Sequence, residues 1–480
     1  MGYSERRDEM SFNSHLFLVF FLLVSGLYFL LPYRFRWALL LFSSYLFYLS
    51  WKWKYLIPLF FLTLVTYYTA LLMGKVENRS QRKKFLLISI VSNLGCLFLL
   101  KYFSFFSGLF GRVPSIDLLL PVGISFYTFK NLSYSIDVYR THQPPERHFG
   151  IYALYVAFFP QLLAGPIERA GRLLRQFHAK FDFEGQRAAD GFKLIFWGLF
   201  QKVVIADTLS SLVDPVFNHP GQHEGPVLAV AAVFFAFQIY CDFSGYSDIA
   251  IGAAKVLGYE TMQNFNRPYF ATSIAEFWRR WHISLSTWLR DYLYIPLGGN
   301  QVSAPRGSFN LLVVFLLCGL WHGANWTFVL WGGLHGFYLI LSRLTQTGRE
   351  WAAGKAGLSR FPAFHQFLRG GITFFLVSFA WIFFRANHVS DALYIVAHLP
   401  TGWGDVEGLL SFSSAPFKFF VGLASIGLIT GSHLLQRKEP VLVRLSKKPL
   451  WFRWAVYYGM GVLFLLVHPF EAKEFIYFQF

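Results

Sequence analysis

The sequence predicts an all-α, polytopic membrane protein, and three observations carry that prediction. Apolar runs close to the ~20 residues needed to cross a ~30 Å hydrocarbon layer recur from one end of the 480-residue chain to the other. Charge is scarce, 14% against 55% hydrophobic residues, and mean hydropathy is +0.42, far from soluble globular composition. Basic residues cluster in short loops between the apolar runs, the pattern of the positive-inside rule. That distribution also disposes of nucleic-acid binding, which a net charge of +17 would otherwise invite, because no soluble basic domain carries the charge.

Spans are expected at 16–31, 37–51, 55–73, 85–110, 226–251, 309–340, 371–384, 417–435 and 451–469. Shorter runs at 117–129, 150–165 and 191–206 read as re-entrant or partial segments, whose broken backbone only protein or a cavity satisfies. We read the chain as one membrane domain, 1–480: anchoring helices over 1–115, a core bearing the chemistry over 116–340, and C-terminal helices over 341–480. The loops Lys75–Lys84, Arg343–Arg369 and Arg437–Lys448 each hold five basic residues, whereas 401–416 holds Asp405 and Glu407 and no Lys or Arg. The three basic loops are therefore assigned to the cytoplasm, 401–416 and the N-terminus to the outside. The first apolar run leads through Pro32 into another span rather than to a cleavage site, so no removable signal peptide is expected. Cys96, Cys241 and Cys318 lie in apolar sequence and read as buried thiols, with no disulfide framework and no metal-ligand set.

The first hundred residues are Phe- and Leu-rich and carry no chemistry. From Leu118 the texture changes: Pro121 and Gly123 break a short apolar run that ends in Ser133, Tyr134, Asp137 and Arg140. The span 226–251 runs into Asp242 and Asp248. A carboxylate deep in a bilayer costs roughly 2.5–3.5 kcal/mol, so both either face a polar cavity or pair with Arg, or else lie at the interface and cap backbone. Thr272-Ser273-Ile274-Ala275-Glu276 is a capping box. After it, Ile274, Phe277, Trp278, Trp281, Leu285, Trp288, Leu289 and Tyr292 fall on one face of a helix and Arg279, His282, Ser286 and Arg290 on another, which predicts an interfacial helix ended by Pro296. Its arginines suit lipid headgroups or the phosphates of a donor. The run 309–340 is too long for one straight span and holds glycines at 319, 323, 332, 333 and 336, where it can break. His322 sits in its middle, flanked by Trp321 and Asn325. An imidazole in such surroundings is either a helix–helix hydrogen-bonding group or a base, whereas His335 reads as structural.

Three blocks around these residues resemble the membrane-bound O-acyltransferases, in particular their bacterial alginate O-acetylation branch. They are Arg279-Arg280-Trp281-His282-Ile283-Ser284-Leu285-Ser286-Thr287-Trp288, the run Asp291-Tyr292-Leu293-Tyr294-Ile295-Pro296-Leu297-Gly298-Gly299-Asn300, and Leu320-Trp321-His322-Gly323-Ala324-Asn325-Trp326-Thr327. Leu120-Pro121-Val122-Gly123, Pro160-Gln161 with Ala164-Gly165-Pro166, and the Phe475-Ile476-Tyr477-Phe478 ending match further blocks in the same order. The resemblance implies about eleven transmembrane helices plus re-entrant and interfacial helices around a central funnel. It implies catalytic roles for His322 and His282; beside it, the reading of the residues themselves gives donor contacts from Arg279, Arg280 and Arg290 and a cavity lined by Asp242, Asp248, Trp321 and Asn325. The reaction that the resemblance implies is acetyl transfer from acetyl-CoA or another cytoplasmic thioester, with no resident cofactor, to a polysaccharide hydroxyl outside a bacterial inner membrane, directly or through a periplasmic relay or acetyltransferase partner. Membrane lipid and the polysaccharide are the other expected partners. Peptidoglycan O-acetylation and D-alanyl transfer to teichoic acid are the neighbouring alternatives. A polysaccharide exporter is the alternative from another class, but transporters usually carry internal repeats and the Trp-His-Gly block has no second copy.

Overall fold

The computed structural model describes residues 10–109, 120–163, 165–404, 416–436, 441–467 and 475–478. The acids of the 401–416 loop, Arg6, Arg7, Arg437, Lys438, Leu118, Leu119 and Ala164 lie outside the described residues. The expected apolar runs form helices at His15–Leu30, Tyr33–Leu49, Leu56–Lys75, Arg79–Leu97 with its continuations Phe98–Tyr102 and Phe103–Leu109, Gly225–Val256, Ala304–His322, Trp326–Leu344, Pro362–Arg385, Pro416–Leu435 and Leu450–Val467. Among the described residues, five helices are long and apolar enough to cross a membrane, at 53–75, 79–108, 225–256, 304–322 and 362–385. This is an all-helical, multi-pass membrane architecture.

Of the partial segments, 150–165 is broken as expected, into Phe149–Ala157 and Phe159–Leu162, whereas the other two are longer than the sequence suggested. Ile124–Tyr139 is one helix, buried on nearly every side, that starts at Gly123 and does not stop at Phe129. Gly123 has φ +77°, and a Cβ there would lie 2.5 Å from the Leu162 carbonyl oxygen, so both conformation and space call for glycine. The run 191–206 belongs to Gly185–Leu199 and a π-helical turn, Phe200–Ala206, that leads on into Asp207–Asn218.

Packing divides the chain into two units, 1–198 with 246–263, and 199–245 with 264–480. In the first, interhelical hydrogen bonds replace the hydrophobic force that lipid removes. Asn93 Nδ2 donates to Thr66 Oγ1 (3.0 Å), Asn131 Nδ2 to Asn93 Oδ1 (3.2 Å), Tyr152 Oη to Asn131 Oδ1 (2.8 Å), and the Ser89 and Ser135 hydroxyls meet at 2.7 Å. Lys130, buried, donates to the Tyr155 carbonyl (2.7 Å) and to Gln161 Oε1 (3.2 Å).

In the second unit the long run 309–340 is a helical hairpin. Ala304–His322 ends at Gly323 and Trp326–Leu344 restarts after Asn325, whose side chain accepts from the Thr327 amide at 3.1 Å as an N-cap. Of the glycines, Gly323 marks the break, while Gly319 and Gly332 let the two arms touch. A Cβ at Gly319 would fall 2.1 Å from the Phe328 carbonyl oxygen, and one at Gly332 2.2 Å from that of Phe315. Small residues at a helix crossing serve this close approach.

Candidate active site

The hairpin sets the first histidine. His322 is the last residue of its helix, 4% exposed, at the end of the Ala304–His322 arm. Aromatic rings enclose it: Trp321 at 4.9 Å between centroids, Trp331 at 5.0 Å, Phe384 at 5.2 Å and Tyr477 at 5.4 Å. Trp331, Phe384 and Tyr477 come from the second arm, from Pro362–Arg385 and from the turn Ile476–Phe478, so three further segments converge on the imidazole of the first arm.

The second histidine arises from a break that periodicity hid. The amphipathic stretch after the capping box is not one helix but Ile274–Arg280, Ile283–Leu289 and a π-helical turn, Arg290–Tyr294. At the break His282 adopts φ +41°, a left-handed conformation uncommon for a residue with a Cβ. Asn264 holds it there. The Asn264 carbonyl accepts the Ile283 amide (2.9 Å), and its Oδ1 faces the Ser284 amide (3.2 Å), Ser284 Oγ (3.0 Å) and His282 Nδ1 (3.1 Å). A backbone N–H only donates, so the atom facing Ser284 is the oxygen, and His282 must therefore carry its proton on Nδ1. Nε2 is left with a lone pair, buried and with no hydrogen-bond partner among the described residues. This break lies between the spans, and full burial pushes the His282 imidazole down to about 3, so it is neutral across the physiological range.

His282 and His322 flank Trp321, His282 at 6.0 Å and His322 at 4.9 Å. Phe243 links His282 (4.6 Å) to Tyr477 (4.5 Å), which closes the ring of contacts. The Tyr477 hydroxyl is buried and lacks a hydrogen-bond partner among the described residues. It sits in a short turn, Ile476–Phe478, whose Ile476 amide donates to Asp242 Oδ2 at 2.7 Å.

Other sequence candidates fall elsewhere. Asp242 is buried and paired, but with Lys202 at 2.7 Å rather than with an arginine. Asp248 belongs to the first unit and is half-buried. Asn325 is engaged as a cap, with Nδ2 donating to the Asn387 carbonyl at 3.1 Å. Arg279 is exposed, Arg280 pairs with Glu276 at 2.5 Å, and Arg290 with Asp291 at 2.8 Å. His335 is fully buried, accepts on Nδ1 from Trp278 Nε1 (3.2 Å) and stacks on Phe277. Sequence reading missed Asn264, Phe243 and Lys202; an asparagine in a loop carries no local signal, whereas Lys202, inside the apolar run 191–206, carried the same signal of a costly charge as Asp242. Tyr477 was noticed as part of an ending but not as a site residue.

Two buried imidazoles, His282 and His322, in an apolar helical protein suit the transfer of a group to a weakly acidic nucleophile such as a hydroxyl. Comparison with known proteins gives that class a name. Residues 140–353 match the family model of the membrane-bound O-acyltransferases, the interval that contains the capping box, both histidines and the hairpin. The chain belongs to that family and is a multi-pass membrane O-acyltransferase. Among its relatives, a probable alginate O-acetylase of Pseudomonas aeruginosa is 40% identical over 84% of this chain and 76% of its own length. A peptidoglycan O-acetyltransferase of Helicobacter pylori is 32% identical over 98% of this chain and 97% of its own. A teichoic acid D-alanyltransferase of Streptococcus thermophilus is 29% identical over 47% of this chain and 57% of its own.

Proposed function

We propose that this protein moves an acetyl group from a cytoplasmic thioester, acetyl-CoA or a comparable donor, across a bacterial inner membrane to a hydroxyl of an extracytoplasmic polysaccharide, alginate or a related exopolymer, directly or through a periplasmic relay protein. The observation that carries the reading is the pair of buried histidines, His282 with a fixed tautomer and His322 in its aromatic cage, on either side of Trp321. In the reaction the acceptor oxygen attacks the thioester carbonyl carbon while His322 takes the hydroxyl proton. The carbon–sulfur bond then breaks, and the thiolate leaves with a proton, so that ester and free thiol are the products. General-base assistance of this kind is typically worth about 10²–10⁴-fold. The Nδ1 proton of His282 is committed to Asn264, so this side chain accepts rather than donates. It orients a substrate hydroxyl or amide, and oxyanion stabilisation falls to other donors. Arg279, Arg280 and Arg290 offer positive charge to donor phosphates; Arg290 is exposed enough that Asp291 holds it only weakly, whereas Arg280 is half-buried against Glu276.

Two relatives named as O-acetylating enzymes align over most of the chain, whereas the D-alanyl relative aligns over about half of it; this favours acetyl. The near end-to-end match to a peptidoglycan enzyme keeps peptidoglycan as the second acceptor reading. The test is to express wild type and His322→Ala with the native envelope machinery at equal membrane levels and to measure ester-linked acetate on each purified envelope polymer by mass spectrometry. Acetate on one polymer with wild type and none with the variant is expected, and identifies the acceptor. Acetate unchanged by the substitution removes His322 from the mechanism, and ester-linked alanine in its place refutes acetyl transfer.

A further inference from the structure

A buried lysine bridges two carboxylates beside the aromatic cage. Lys202 Nζ lies 2.9 Å from Asp207 Oδ1 and 2.7 Å from Asp242 Oδ1, and all three side chains are almost fully shielded, at 4% exposure or less. Lys202 projects from the π-helical turn Phe200–Ala206, an irregularity that within helices is often found at functional sites. Next to it, Ser244 Oγ donates to Gln201 Oε1 at 2.5 Å, which ties the same turn to the helix of Asp242 a second time. So costly a set of buried charges is weak as a source of stability, because apolar residues of the same volume would serve as well. Its geometry has a more specific use. One oxygen of Asp242 is spent on Lys202 and the other on the Ile476 amide.

That amide belongs to a three-residue 3₁₀ turn, Ile476–Phe478. Beyond Asp242, the turn is held by ring packing on Phe243, from Phe475 at 5.7 Å and Tyr477 at 4.5 Å. It delivers the Tyr477 ring to within 5.4 Å of His322. We propose that Asp242, held in register by Lys202, is a positioning residue: it clamps the Ile476 amide and so fixes the C-terminal turn against the histidine cage. Neither residue touches the reacting atoms. Lys202 keeps the carboxylate aimed, and the carboxylate keeps the turn in place.

The structural arm of the test does not depend on the acyl-transfer reading; the catalytic arm rests on it. Hydrogen exchange of the 475–478 segment is measured by mass spectrometry on purified full-length wild type, D242A, D242N, K202M and, as a control within the same helix pair, S244A. A hydrogen bond to a charged acceptor protects its amide, so D242A is expected to speed exchange in this segment by roughly tenfold to a hundredfold. D242N keeps an oxygen acceptor and should fall between wild type and D242A, while S244A should match wild type. K202M should resemble D242N. Exchange unchanged in D242A and D242N overturns the clamp; where D242A does not accumulate, D242N and K202M decide the point. For catalysis, thioester-dependent thiol release is measured for D242N, Y477F and the double variant. If Asp242 acts through the turn, the double variant loses no more than the worse single one, whereas independent losses that multiply overturn the positioning role. Absence of thiol release by wild type, with 475–478 protected in wild type and exposed in D242A, would refute the proposed reaction and leave the clamp standing.

Discussion

Replacing Asn264 by alanine should cost both stability and turnover, for reasons the geometry allows to be worked through. Its Oδ1 faces the Ser284 amide at 3.2 Å and His282 Nδ1 at 3.1 Å, and all three residues are buried to 1% exposure or less. Alanine leaves three donors, counting the Ser284 hydroxyl (3.0 Å), without that acceptor; the two N–H groups, which cannot rotate away, cost about 1–3 kcal/mol each, so about 2–6 kcal/mol between them. Relaxation of the left-handed His282 backbone returns on the order of 1–3 kcal/mol, and the remainder is a large share of an ordinary folding free energy. Activity should fall further than stability requires, because an imidazole without Asn264 no longer holds its proton on Nδ1. Asn264→Asp separates the two effects. The carboxylate accepts from the same two donors and should restore the melting temperature in detergent, but a negative charge beside His282 favours the imidazolium and raises its pKa from about 3. The acidic limb of the thiol-release pH profile should therefore move upward in Asn264→Asp. In the wild type, burial has already lowered the imidazole below the ~6.5 of the unfolded chain. Its neutral form therefore costs stability only as the pH drops from there toward 3 and is without effect above. Wild-type melting temperature and wild-type pH profile in Asn264→Ala would refute both the tautomer assignment and the role drawn from it.

His322→Gln, which preserves polarity and much of the volume, should lower thioester-dependent thiol release by about 10²–10⁴-fold while leaving membrane levels and melting temperature unchanged. Gly319→Val places carbon 2.1 Å from the Phe328 carbonyl oxygen and should cost at least about 1–3 kcal/mol or abolish accumulation, whereas Gly333→Ala meets only Leu316 Cδ2 at 3.5 Å and should be silent; thermal melts of the pair check the hairpin. Ser273→Ala removes the acceptor for the Glu276 amide (3.2 Å) and should destabilise by about 0.5–2 kcal/mol, read from the same melts. Burial by itself would raise the Glu276 carboxyl, but bonds from the Thr272 amide and hydroxyl, together with Arg280, outweigh it and hold the group below the usual carboxylate range. Its contribution is thus present above the unfolded carboxylate pKa near 4.3 and is lost as pH falls below that; Glu276→Gln should flatten the acid side of the melting-temperature curve.

How much of this was legible in the sequence follows from the range over which each feature is encoded. The spans are local composition, and each expected run appears as helix. The hairpin is nearly local: a Trp-His-Gly-Ala-Asn interruption in an apolar run too long for one span signals the break, although only packing distinguishes Gly323, which breaks the helix, from Gly319 and Gly332, which close its arms. The stretch 274–294 misled because the apolar period continues through His282 without interruption. What bends it there is Asn264, 18 residues earlier, and periodicity carries no record of such a partner. The pairing of Lys202 was hidden for the same reason, since its two carboxylates lie 5 and 40 residues away in the chain and only one of them is near in sequence. The arginines point the other way: conspicuous in sequence, two of them make pairs one and four residues away, Arg290 with Asp291 at the exposed surface, where such a pair contributes little, and Arg280 with Glu276 half-buried. Of the residues that aim the chemistry, Asn264 looks ordinary in sequence, whereas Asp242 stands out as His322 does, because both are costly in an apolar setting. Substitutions at Asn264 and Asp242 therefore discriminate between mechanisms more sharply than substitutions at Arg280 or Arg290, which change a charge and leave both histidines as they were.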